Sequence, residues 1–144
     1  MNLKDQNSQG SYYLFETGVY RPPSEGGSNS LLLRFTRNCP WNKCAFCAMY
    51  KTEKFEKRPV EEIKADIDAM AAICEEIKEI SNRRGSQEIS RQAVLDFLSR
   101  HPEMDSHPGF SMLLSWLVSG GGTAFLQDAN TMIMKTEDVV EALL

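Results

Sequence analysis

Ser30-Leu31-Leu32-Leu33-Arg34-Phe35-Thr36-Arg37 runs directly into Asn38-Cys39-Pro40-Trp41-Asn42-Lys43-Cys44-Ala45-Phe46-Cys47, and the fold turns on how this stretch is read. The first eight residues form an apolar run with aromatic and β-branched members, short enough for one buried strand. That strand stops where Asn38-Cys39-Pro40 begins, so it delivers a loop carrying three cysteines in the spacing C-x4-C-x2-C. Upstream, residues 1–29 are rich in Gly, Ser, Asn, Tyr and Pro without strand or helix period, and read as an extended arm.

Downstream, Pro59 suits a first helical position, where its missing N–H costs nothing. Val60, Ile63, Ile67, Met70, Cys74 and Ile77 then recur at three and four residues, the stripe of a helix of about six turns that Ser81 to Gly85 interrupts. Ile89, Ala93, Val94, Phe97 and Leu98 predict a second helix ending before His101-Pro102. Phe110, Leu113, Leu114 and Leu117 predict a third, stopped by Gly120-Gly121-Gly122. Thr123 to Gln127 reads as a second buried strand presenting Asp128-Ala129-Asn130 at its C-terminal end. Thr136 is placed to cap a last helix, Glu137 to Leu144, still apolar and periodic where the chain stops; the expectation is a truncated domain prone to self-association.

Composition sets the outer bounds. With 42% hydrophobic and 25% charged residues in 144, the chain is one globular domain or part of one, not a disordered tail. No apolar run approaches the roughly 18 residues of a membrane span, and residues 1–10 lack the apolar core of a signal peptide, so a cytoplasmic protein without a membrane partner is expected. A net charge of −4 gives no broad field for nucleic acid, which is not expected as a partner. Residues 31–58 nevertheless hold seven basic and two acidic side chains, a local +5 suited to an anionic ligand or an acidic partner, or simply a solvated basic loop.

Four cysteines without a secretion signal argue for metal or redox chemistry rather than disulfides. Three soft ligands in one loop, with Arg37, Lys43 and Lys51 favouring thiolates, suit iron or zinc. A closed zinc site needs a fourth ligand, and the two histidines, His101 and His107, lie more than fifty residues away. Two-iron ferredoxins of the plant type share the C-x4-C-x2-C spacing and take a fourth cysteine from much later in the chain. Cys74 is the candidate for that ligand, although its place in the apolar stripe suits packing equally well. Trp41 and Tyr50 are as well explained by packing, and the glycine triplet has no phosphate-loop context.

The stretch Ser30 to Cys47, preceded by Arg21-Pro22-Pro23-Ser24 and followed by Met49-Tyr50-Lys51, resembles the start of radical S-adenosylmethionine (radical SAM) proteins. Phe46 immediately before the last cysteine fits that family, and Ala124 to Asn130 looks like its second core strand in an uncharacterised branch. The commonest motif of the family is C-x3-C-x2-C, one residue shorter than here, and its Gly-Gly-Glu motif is replaced by Gln127, Asp128 and Asn130. The resemblance implies an α/β fold, the N-terminal portion of a partial (β/α) TIM-like barrel with two candidate strands and several helices, over residues 30–144. It implies that Cys39, Cys44 and Cys47 hold a 4Fe-4S cluster whose open iron meets S-adenosylmethionine. Phe46, through its backbone, and Gln127, Asp128 and Asn130 would then bind that cofactor, with a one-electron donor such as flavodoxin or ferredoxin as partner and the substrate unassigned. A non-enzymatic iron-sulfur carrier and a zinc-stabilised interaction module are the competing readings.

Overall fold

The computed structural model describes residues 13–18 and 30–144. In chain order they form β1 (Leu31–Arg34), β2 (Thr36–Arg37), β3 (Glu56–Lys57), α1 (Val60–Arg83), α2 (Arg91–Arg100), α3 (Phe110–Val118), β4 (Ala124–Gln127) and α4 (Thr136–Leu143). Single 3-10 turns occupy Pro102–Ser106 and Thr131–Ile133. The expected α/β class is present, with four helices and a two-stranded parallel sheet among the described residues. Most of the arm predicted over 1–29, including Arg21-Pro22-Pro23-Ser24, lies outside them.

β1 and β4 pair in parallel, Leu31 opposite Ala124 through Arg34 opposite Gln127. A parallel pair needs a long crossover, and three helices supply it. The N–H groups of Leu31 and Phe35 face β4, bonding Thr123 O at 2.9 Å and Gln127 O at 2.7 Å. Even-numbered positions of β1 therefore face away. There the Leu32 N–H meets Met112 Sδ of α3 at 3.5 Å, and Arg58 Nη1 donates to Arg34 O at 2.7 Å.

The single strand predicted over Ser30 to Arg37 is divided in two. Phe35, wholly buried, turns the chain, and Thr36–Arg37 pairs antiparallel with β3 instead of continuing along β4. Helix α1 packs Ile63, Met70, Ile73 and Ile77 into the core, while Leu32, Leu33, Phe97 and Leu113 close on them from β1, α2 and α3. Pro59 is the residue before this helix, not its first, and the helix passes through Ser81 to end at Arg83, ahead of Gly85 with φ 77°. Ser81 stays helical because its hydroxyl is buried and accepts the Ser90 N–H at 3.2 Å. Ser90 in turn caps α2 by accepting the Ala93 N–H. Thr136 is not a cap: α4 starts at Thr136 itself, after an extended Lys135 that offers no side-chain acceptor.

Residues 13–18 cross the molecule as a strap without regular structure. The Tyr13 hydroxyl donates to Glu76 Oε2 of α1 at 2.7 Å, and its ring stands edge-on to Phe97 and His101. Phe15 is buried against the His107 ring, with centroids 4.3 Å apart. The Gly18 N–H donates to Gln127 Oε1 at 2.8 Å. A Cβ at Gly18 would collide with Asp128 Oδ1, so this approach of the strap to β4 admits only glycine.

Candidate cysteine loop at the strand ends

Parallel pairing brings the C-terminal ends of β1 and β4 side by side, and both strands give way to polar residues there. After β1 the chain passes through Phe35 and β2 to Asn38 and the cysteine loop; after β4 comes Asp128. Asp128 joins the two. Its Oδ2 accepts from Arg34 Nε at 2.9 Å, Arg34 Nη2 at 2.7 Å and the Asn38 N–H at 2.8 Å, while its own N–H bonds Thr36 Oγ1 at 3.1 Å. The side chain is fully screened from water, and Oδ1 has no hydrogen-bond partner among the described residues. A carboxylate buried this deeply is tolerable because a guanidinium and a backbone N–H both address it.

Three arginines surround Glu16 of the strap. Arg34 Nη1 donates to its Oε1 at 2.7 Å, Arg37 donates from Nε at 2.8 Å and from Nη2 at 2.7 Å, and Arg58 Nε lies 3.7 Å away. Hydrogen bonds from Arg37, reinforced by the charges of Arg58 and Arg34 against the cost of burial, hold the Glu16 carboxyl below its ordinary range. Arg37 also reaches Glu56 and Glu62, and Arg58, itself buried, is paired with Asp66 at 2.6 Å. Without Glu16 between them, Arg34 and Arg37 would present like charges at the root of the cysteine loop.

The loop itself is shaped by two asparagines in the left-handed region, Asn38 at φ 68° and Asn42 at φ 50°, which this residue tolerates better than most. Asn38 Nδ2 donates to Lys54 O at 2.6 Å and Asn42 Nδ2 donates closely to Tyr50 O. The Asn42 N–H points at Cys39 Sγ, 3.3 Å away, and the Cys47 N–H turns back to Cys44 O at 3.4 Å. Lys51 folds over the loop, donating Nζ to Asn42 O at 3.1 Å and Cys44 O at 2.7 Å, which ties the ammonium to the loop backbone. Lys43 lies over the Trp41 ring, 5.4 Å from its centroid.

Cys39, Cys44 and Cys47 are unoxidised and partly exposed. They share the loop but are not drawn together: among the described residues no group of three or more His, Cys, Asp or Glu side chains is gathered to hold a metal ion. Thiols bring nothing of their own to gather them, since the attraction comes with the metal and the protons it displaces. The donor set itself, three thiols with an N–H on one sulfur and an ammonium against the loop carbonyls, fits a group needing three thiolates from one loop and a fourth ligand from elsewhere. Cys74 is not placed to be that fourth ligand. It is 5% exposed in α1, burial pushes its thiol up to about 11, and it borders a small cavity with Leu31, Met70 and Trp116, at the opposite end of β1 from the loop.

The remaining candidates separate. Phe46 is 93% exposed at the loop tip. Gln127 is wholly buried with its Oε1 engaged by Gly18, and Asp128 is engaged by Arg34 and Asn38. Asn130 is at the surface, preceding the 3-10 turn that Thr131 secures with hydroxyl bonds to Leu126 O and Gln127 O. Glu16, Arg34, Arg58 and Asp66 were not singled out from the sequence; the one signal that could have led to them is the pair Arg34 and Arg37 inside an otherwise apolar run, which needs carboxylates to meet it. Comparison with protein-family models, curated proteins and solved structures finds no match. Among the described residues no helix is long and apolar enough to cross a membrane.

Proposed function

We propose that this chain is the cluster-bearing part of a radical SAM enzyme, its parallel pair being two neighbouring strands of a partial (β/α) barrel. The observation that carries the reading is the C-x4-C-x2-C loop that follows β1 by way of the short β2, with Asp128 at the end of β4 accepting the N–H of Asn38 at its start. In barrels the strand ends and the loops after them make the active face. Cys39, Cys44 and Cys47 would hold three irons of a 4Fe-4S cluster, leaving the fourth to the amino and carboxylate groups of S-adenosylmethionine. Such a cluster, when bound, supplies the electron for reductive cleavage of S-adenosylmethionine to methionine and a 5′-deoxyadenosyl radical.

The chain's own residues have distinct parts in this scheme. Asn42 directs its N–H at Cys39 Sγ and so orients that sulfur. The backbone at Phe46 would border the adenine. Asn130, exposed just past the strand end, is the member of the Gln127, Asp128 and Asn130 trio placed to meet the methionine end, while Gln127 and Asp128 are engaged by Gly18 and by Arg34 with Asn38. The basic surface of residues 31–58 would receive an acidic one-electron donor of the flavodoxin or ferredoxin kind.

Anaerobic reconstitution with iron and sulfide tests the reading, by counting both per chain and recording the reduced electron paramagnetic resonance spectrum with and without S-adenosylmethionine. About four irons and a spectrum that changes with S-adenosylmethionine are expected. Two irons with an unresponsive spectrum would establish an electron carrier instead, and tightly held zinc without iron would establish a structural module.

A further inference from the structure

We infer that Glu16 is a positioning residue for the cysteine loop, acting on it from a segment more than twenty residues upstream. The connection is continuous. Glu16 binds Arg34 at 2.7 Å, Arg34 holds Asp128 Oδ2 through two bonds, and the same oxygen accepts the N–H of Asn38, the residue before Cys39. Asn38 sits in the left-handed region, where an unbonded asparagine would readily leave for other conformations. Its N–H bond therefore sets the direction in which the loop departs.

Glu16 works at this junction by keeping the guanidiniums in place. Arg34 has two carboxylates to choose from and reaches both at once, one with Nη1 and the other with Nε and Nη2. Removing the Glu16 charge takes away the Nη1 tie that fixes the Arg34 fork and the anion that screens it from Arg37, so the guanidinium that holds Asp128 Oδ2 in place against the Asn38 N–H is less firmly oriented. The strap is anchored independently of Glu16, by buried Phe15, by Tyr13 on Glu76 and by Gly18 on Gln127, so its path does not depend on this carboxylate. Glu16 is thus held against the arginines by contacts lying outside the cysteine loop.

The inference rests on the cysteine loop being the functional element proposed above, but its test reads the loop directly and needs no cluster. Glu16→Gln keeps the size of the side chain and removes its charge; Tyr13→Phe cuts a different polar tie of the strap as a control. Native-state hydrogen exchange of the Asn38 amide and labelling of Cys39, Cys44 and Cys47 by a maleimide are measured on the full chain with thermal unfolding alongside. Glu16→Gln is expected to accelerate both by about tenfold or more while core α1 amides keep their protection, and Tyr13→Phe to leave Asn38 unchanged. Glu16→Asp, which keeps the charge, is expected to restore part of the protection.

Unchanged Asn38 exchange in Glu16→Gln, or equal acceleration in both variants and throughout the core, would overturn the inference. Should Glu16→Gln not fold, the native chain decides: Asn38 exchanging in step with Gly18 supports coupling of strap and loop, and Asn38 exchanging about tenfold faster than Gly18 overturns it.

Discussion

Asp128 concentrates more of the strand-end chemistry than any other side chain, since one oxygen serves a guanidinium and a backbone N–H from the neighbouring strand's loop. Asp128→Ala removes that acceptor and leaves Arg34 with Glu16 alone, so it is expected to cost about 3 kcal/mol, the lower end for breaking a buried pair. Urea unfolding checks this. Glu16 gives a pH dependence of defined sign. Its native carboxyl lies below the ordinary 4.5, so its contribution is complete above that value and is lost as pH falls through the lowered one. Stability measured by denaturation between pH 6 and the acid limit should fall more steeply in the native chain than in Glu16→Gln. Asp66 works against this trend, because burial raises its carboxyl despite Arg58.

At the scale of elements, α1 and the loop before it carry the two kinds of cysteine, and the structure gives each a different consequence. Cys74→Ala is expected to enlarge the small cavity beside Trp116 at a cost of about 1 kcal/mol and to leave reconstituted iron unchanged, whereas Cys44→Ala should abolish iron binding. Iron and unfolding measurements on the two variants check both statements. The helices were legible because their signals are local: the three-and-four spacing from Val60 to Ile77, and Gly120 to Gly122 after Leu117. The break at Phe35 was not, since a strand's choice between two partners is made by packing from α1 and α3 and leaves no trace in the order of side chains. Thr136 misled for a related reason: a residue suited to capping does so only if the chain enters the helix one position later. The cysteine loop was readable from its spacing, but the network beneath it joins Glu16, Arg34 and Asp128, whose charges look like ordinary solvated ones until the strands pair, to the backbone N–H of Asn38.

For the whole molecule, the short parallel sheet governs how one chain meets another. Strand edges invite pairing, and self-association is the expected behaviour. Sedimentation velocity over a range of concentrations should show a concentration-dependent larger species, and a monomer at all concentrations would contradict this. The two edges differ, however. On the far side of β1 the Leu32 N–H is taken by Met112 and the Arg34 carbonyl by Arg58, both reaching from outside the sheet. The outer side of β4 is itself closed at one point, where Thr131 Oγ1 takes the Leu126 carbonyl, so the length of margin left for a second molecule lies around Ala124, too short a seam to carry a fibre on its own.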